Sequence, residues 1–212
     1  MAQLAWLIPV FPILSWLFIS VAGHKVKGQG DRVGIAALAV SFALSLFVFF
    51  AVIGGGSAAG GVTWAEIGPF TIRMGYVVDA LTASMLVVVT AISLLVHVYS
   101  LGYMHCDVRY KRYYAILSLF TASMLGLVLA DNFLLLFIFW ELVGLCSFLL
   151  IGHWYEDPAN SRAAMKAFLT TRVGDIGMFI GIMMIWMNTR TFEFSAVAQA
   201  IAQGDFAGTL LT

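Results

Sequence analysis

LLLFIFWELVGLCSF, residues 134–148, holds a single carboxylate, Glu141, in an otherwise apolar run. Extended to residues 132–152, it reaches the roughly 20 residues that a helix needs to cross a bilayer core. Working outward, five more stretches meet the same criterion: 3–22, 33–53, 80–102, 113–130 and 163–187. The 212 residues are 62% hydrophobic and 10% charged, far from the composition of a water-soluble domain. The fold class is therefore an all-α integral membrane protein with about six transmembrane helices. The first stretch has no basic residue ahead of it, contains Pro9 and Pro12 and lacks a small-residue cleavage site. It reads as a retained span and not as a secretory signal.

Eleven Lys and Arg balance eleven Asp and Glu, so no net field attracts nucleic acid. Lys25, Lys27, Arg32, Arg109, Lys111, Arg112, Arg162 and Lys166 fall on one side of the spans, and only Arg73 and Arg190 on the other. Basic loops mark the cytoplasmic side, which puts the N-terminus outside and the 23–32, 103–112 and 153–162 loops inside. Segment 54–79 opens with GGGSAAGG and continues TWAEIGPFTIRMGYVVD. Its Gly-Pro pair between two runs with β-type residues predicts a small outer hairpin between spans 2 and 3. Asp131-Asn132 alone separates spans 4 and 5, which forces a tight turn and makes them antiparallel neighbours.

Residues 1–187 thus form the transmembrane domain and 188–212 an outer-surface segment. There Phe194, Val197, Ala198 and Ile201 recur at helical spacing, and the terminal GTLLT reads as the start of a further span of a longer protein. Cys106 and Cys146 match no disulfide or metal pattern, and His24, His105 and His153 match no metal spacing. No metal and no cofactor are expected on this chain.

An ionised side chain at the bilayer midplane costs roughly 2.5–3.5 kcal/mol, which protonation, a partner ion or a water-filled cavity relieves. Glu141 sits near that midplane, which suits a group that takes up and releases a proton; the plain alternative is a neutral carboxyl bonded to another helix. In AFLTTRVGDIGMFIGIMM, residues 167–184, Arg172 and Asp175 lie three apart on one helical face. They form either a structural ion pair or a working relay element. Gly174, Gly177 and Gly181 predict close helix approach. Lys166 lies about 13 Å along the axis from Asp175, at the cytoplasmic end, as a proton entry or a snorkelling lysine. His97 is a candidate relay by its titration range, with a satisfied interhelical histidine as the alternative. Asp79 opens span 3 as a helix cap. Trp6, Trp16, Trp64, Trp154 and Trp186 fall near span ends, as interfacial aromatics do.

The stretches GYVVDALTASM (75–85), VHVYSLGYMH (96–105), RYYAILSLFTASMLGLVLADNFLLLFIFWELVGLCSFLLIGHWY (112–155) and KAFLTTRVGDIG (166–177) closely resemble the antiporter-like membrane subunit of respiratory complex I. This is subunit L, the chain 5 type, of NADH:quinone oxidoreductase, and the likeness covers its N-terminal portion only. The resemblance implies a subunit without a redox centre that moves protons while quinone is reduced elsewhere. NADH, FMN, iron-sulfur clusters and quinone are then expected on partner subunits, and other membrane subunits and the lipid bilayer are the partners. It implies a proton-translocation role for Glu141, a place for Arg172 and Asp175 among the charged membrane residues, and a basic position at Lys166. Thr171 departs from the asparagine common before that arginine, and the family's central lysines lie beyond this chain's length. The implied location is a bacterial plasma membrane. The A-type component of a multisubunit Na+/H+ antiporter shares these motifs, and a non-transporting membrane scaffold fragment is a further alternative; the neighbouring genes discriminate among the three.

Overall fold

The computed structural model describes residues 2–23, 28, 30–67 and 70–203. Its elements are a 3-10 turn at Ala2–Leu7, α1 Val10–Ala22, α2 Asp31–Ile53, β1 Ala58–Ile67, β2 Phe70–Val78, α3 Ala80–Tyr103, α4 Tyr110–Leu129, α5 Phe133–Ile151, α6 Pro158–Thr189 and α7 Phe194–Ala202. Among the described residues, six helical segments are long and apolar enough to cross a membrane.

The first of these is not one continuous α-helix. Proline donates no amide hydrogen, so the chain turns at Ile8-Pro9 and α1 has only 13 residues, about 20 Å. The 3-10 turn supplies the missing length. Pro12 leaves the Ile8 carbonyl without its helical donor, and the Ser41 hydroxyl of α2 donates to that oxygen at 2.9 Å instead. At the other extreme α6 has 32 residues, about 48 Å, and outruns the apolar stretch 163–187 at both ends. Pro158 at its first turn and the Asp157 carboxylate accepting from the Ala159 amide set its start.

Sequential helices pack as neighbours: α2 on α1 and α3, α4 on α1, α3 and α5, and α5 on α6. The apolar core lies between the 3-10 turn, α2, α3 and α4, where Ile8, Val48, Leu86 and Leu125 are fully enclosed. Of the apolar windows, 61% is buried in α4 but 11% in α5 and in α6. The pair that carries Glu141, Arg172 and Asp175 therefore stands at the edge of the bundle.

β1 and β2 pair antiparallel, with Val62 opposite Met74 and an irregularity between Thr63 and Ala65. The expected turn at Gly68-Pro69 lies outside the described residues. Gly75 lies against Asp131 so closely that a Cβ there would overlap the carboxylate. That approach lets Tyr76 bridge to Ala130 in the α4–α5 turn, while Asn132 bridges to Glu193 ahead of α7. The Asp131-Asn132 turn forms as expected, with the Asn132 side chain accepting from the Leu135 amide at 2.8 Å as the cap of α5. Gly126 of α4 faces the Phe139 ring of α5, and a Cβ would come within 2.5 Å of it. Residues 188–203 continue α6 into α7, whose helix includes Phe194, Val197, Ala198 and Ile201; the GTLLT end lies outside the described residues.

Gly174, Gly177 and Gly181 are a correction to the sequence reading. A Cβ at any of them would meet no described atom within 4 Å. The α6 surface that meets α5 is built instead from larger side chains, with Phe168 against Phe148 and Phe179 against Phe137.

Candidate functional site

Glu141 sits midway along α5, and α6 returns antiparallel after the short 152–157 loop, so Arg172 and Asp175 arrive at its level. The Arg172 guanidinium pairs with Glu141 through Nη1 and Oε2, and its Nη2 lies 3.4 Å from the Glu141 carbonyl oxygen. The same Nη1 stands 3.7 Å from Asp175 Oδ2. The Arg172–Asp175 pair expected from their spacing is present, but the arginine is shared. One cation serves two carboxylates, so the three groups carry a formal charge of −1 when all are ionised and of zero after taking up one proton. Because the arginine is shared, Arg172 without Asp175 still has Glu141 as a partner.

Asp175 Oδ1 accepts from the Trp140 indole N–H at 2.9 Å, so its two oxygens engage different donors. The Phe168 ring lies beneath the guanidinium, 4.5 Å from centroid to Cζ. Two grooves flank the α5–α6 contact. One, of about 380 Å³, is lined by Glu141, Arg172 and Asp175 with Phe137, Ile176 and Phe179. The other, of about 230 Å³, includes Trp140, Ser147, Thr171 and Asp175. Asp175 is common to both. Trp140 is the residue that sequence reasoning missed. Its signal was available: an indole N–H away from water must find an acceptor, and this one lies mid-span beside a carboxylate.

Lys166 and His97 stand apart from this cluster. Lys166 is exposed on α6 and forms no ion pair among the described residues. His97 is fully buried on α3. Its Nδ1 lies 2.8 Å from the Ser93 carbonyl, which assigns the proton to that nitrogen and leaves Nε2 to accept from the Ser118 hydroxyl at 3.5 Å. Ser118 in turn meets the Ser15 hydroxyl at 3.4 Å, and the Tyr114 hydroxyl donates to the His97 carbonyl at 2.9 Å. Gly34 admits this arrangement, since a Cβ there would stand 3.3 Å from the imidazole. The histidine thus ties α3 to α4, with α1 and α2 close by.

Three carboxylates outside the spans, Asp79, Asp107 and Glu156, have defined donors. Asp79 caps α3, and the Thr82 amide, at 2.7 Å, holds its carboxyl below the ordinary range. Burial works against the Asp107 carboxylate, but donors from Trp154, the Arg109 amide and His153 outweigh it and keep its pKa low. Arg109 grips Glu156 with two nitrogens and holds its carboxyl at about 2. These contacts join the 104–109 and 152–157 loops.

Six apolar helical segments and a mid-helix cluster of two acids around one arginine define a class: a multi-pass helical membrane protein. Residues 64–114 match the family described as NADH-Ubiquinone oxidoreductase (complex I), chain 5 N-terminus, and residues 130–211 that described as NADH:quinone oxidoreductase/Mrp antiporter, TM. The chain is 42% identical over 210 residues to NAD(P)H-quinone oxidoreductase subunit 5, chloroplastic, of Mesostigma viride, covering 95% of this chain and 32% of the relative. It is 42% identical over 207 residues to NAD(P)H-quinone oxidoreductase chain 5 of Synechocystis sp., covering 94% and 30%. The chain belongs to this chain 5 family of antiporter-like membrane subunits. It spans about a third of the length of the curated relatives it matches. A chain of the archaeal membrane-bound sulfane sulfur reductase, a respiratory membrane complex, shares the fold with a TM-score of 0.79 at 17% identity, covering 93% of this chain and 40% of that one.

Proposed function

We propose that this chain is the N-terminal membrane portion of a proton-translocating subunit of NADH:quinone oxidoreductase. The observation that carries the proposal is the sharing of Arg172 by Glu141 and Asp175. Such a site accepts one proton without leaving an unpaired charge in the membrane, and releases it again when a further cation approaches the carboxylates. Glu141 is the proton carrier, Arg172 its counter-ion, and Asp175 the second acid that Trp140 holds in place. Lys166 marks the entry end of α6. His97, enclosed by its own partners, orders the α1–α4 bundle in place of the relay role that its titration range invites.

No group of this chain takes part in electron transfer in this reading. NADH, FMN, iron-sulfur clusters and quinone belong to partner subunits, and the subunit couples to them through the membrane assembly. The named relatives favour an oxidoreductase over a cation/proton antiporter. The basic loops face the cytoplasm, the N-terminus and hairpin face outward, and the membrane is the bacterial plasma membrane.

The test is Glu141→Gln in the complete complex, which keeps shape and hydrogen bonding but removes titration. Arg172 retains Asp175, so assembly is expected to survive while protons pumped per NADH oxidised fall in vesicles holding equal amounts of complex. Each charge moved against 100 mV requires about 2.3 kcal/mol, so quinone reduction slows as well if coupling is tight. An unchanged pumping ratio at unchanged turnover refutes the assignment.

A further inference from the structure

We propose that the groove between α1 and α2 is a binding site for an anionic phospholipid, with one acyl chain in the groove and the phosphate on Arg32. The groove, of about 500 Å³, lies between Phe11, Leu14 and Phe18 of α1 and Val33, Ala36 and Val40 of α2, with Arg32 at its mouth. From Arg32 to Val40 it follows eight residues of α2, about 12 Å. That is close to the 15 Å or so of hydrocarbon in one leaflet, half of a core about 30 Å thick.

The chemistry of the walls selects the occupant. Ser15, on the floor, turns its hydroxyl inward to Ser118, so it offers the groove no unsatisfied polar atom. Ala36 and Ala37 give α2 a depression where larger side chains would fill it. Arg32 is exposed at the interface and, among the described residues, has no carboxylate partner for its guanidinium. Its neighbour Asp31 is committed elsewhere: that carboxylate is buried and accepts from the Tyr110 hydroxyl at 3.1 Å and from the Arg32 amide. An unmatched cation at the head of an apolar groove one leaflet deep fits an anionic headgroup above an acyl chain.

The experiment uses the full-length protein within its complete complex, with Phe18→p-benzoyl-phenylalanine as a photo-crosslinker, in vesicles of equal phosphatidylglycerol and phosphatidylcholine. The expected result is capture of phosphatidylglycerol about fivefold over phosphatidylcholine, the ratio that corresponds to the ~1 kcal/mol of one surface arginine toward anionic lipid. Arg32→Gln is expected to bring that ratio to about one, and Ala37→Leu to reduce total lipid capture by filling the groove. A ratio near one in the unsubstituted protein overturns the proposal. So does a ratio indifferent to Arg32→Gln, a total unaffected by Ala37→Leu, or adducts to a polypeptide in place of lipid.

Discussion

The α1–α4 bundle and the α5–α6 pair are both rich in polar side chains, yet they handle them in opposite ways. In the bundle, His97, Ser118, Ser15, Thr90 and Ser45 are neutral, buried and matched donor to acceptor. In the pair, Glu141 and Arg172 are partly exposed at 26 and 27%, Asp175 is buried, and two carboxyl groups share one guanidinium. A matched neutral network resists change because every alternative leaves a buried group unpaired. A site one charge short has two protonation states to choose between. The first arrangement suits a frame and the second a load.

The comparison breaks most sharply at Arg172. Arg172→Gln leaves two carboxylates in the membrane without a cation, and the expected loss is about 3 kcal/mol, the low end for breaking a buried pair because the guanidinium is partly exposed. Yield of assembled complex and its thermal midpoint report it. Adding Asp175→Asn to that variant is expected to recover part of the loss, whereas additive losses would show that the groups do not interact.

His97→Leu probes the opposite region. It strips Ser118 and the Ser93 carbonyl of a partner and is expected to cost about 1–3 kcal/mol, with pumping per turnover unchanged in whatever complex assembles. A fall in that ratio at unchanged assembly would transfer His97 to the working site. Gly126→Ala drives a methyl group into the Phe139 ring where frame meets pair, at an expected cost of about 1–3 kcal/mol that the same thermal measurement reads.

The smallest effect belongs to Glu156, at the surface between the two regions. Its carboxyl is held at about 2 against an ordinary 4.5 by Arg109. The stabilisation is therefore complete above the unfolded value and is lost as pH falls from about 4.5 through 2. The thermal midpoints of the protein and its Glu156→Gln variant are expected to differ slightly near neutrality and to converge in that window.

Much of this was legible in the sequence because bilayers reward simple patterns. Span length, the Asp131-Asn132 turn and the three-residue spacing of Arg172 and Asp175 are local properties, and each is seen in the fold. The pairing of Arg172 with Glu141 was not legible, since the residues are 31 apart and which faces α5 and α6 present to each other depends on the whole loop between them. The break at Pro9 was legible in kind, but its repair by Ser41 joins two helices and left no local trace. The glycine series on α6 was misread because spacing alone specifies that a helix can be approached closely, not which neighbour, if any, comes close. His97 shows the same limit, since its titration range says nothing of the partners that enclose it.

Both ends of the α5–α6 pair are stitched down. On the hairpin side the Phe133 amide donates to Phe192, the Phe194 amide to Asp131, and Arg73 pairs with Glu193. On the other, the short loop is clasped by Asp107 and Arg109. The pair is thus tied to neighbouring segments at both of its ends. Between those ends α6 has Gly174 and Gly177 beside its two charges, each lowering helix preference by about 1 kcal/mol relative to alanine. The glycines and the charges thus share the stretch of α6 that lies between the two tied ends of the pair.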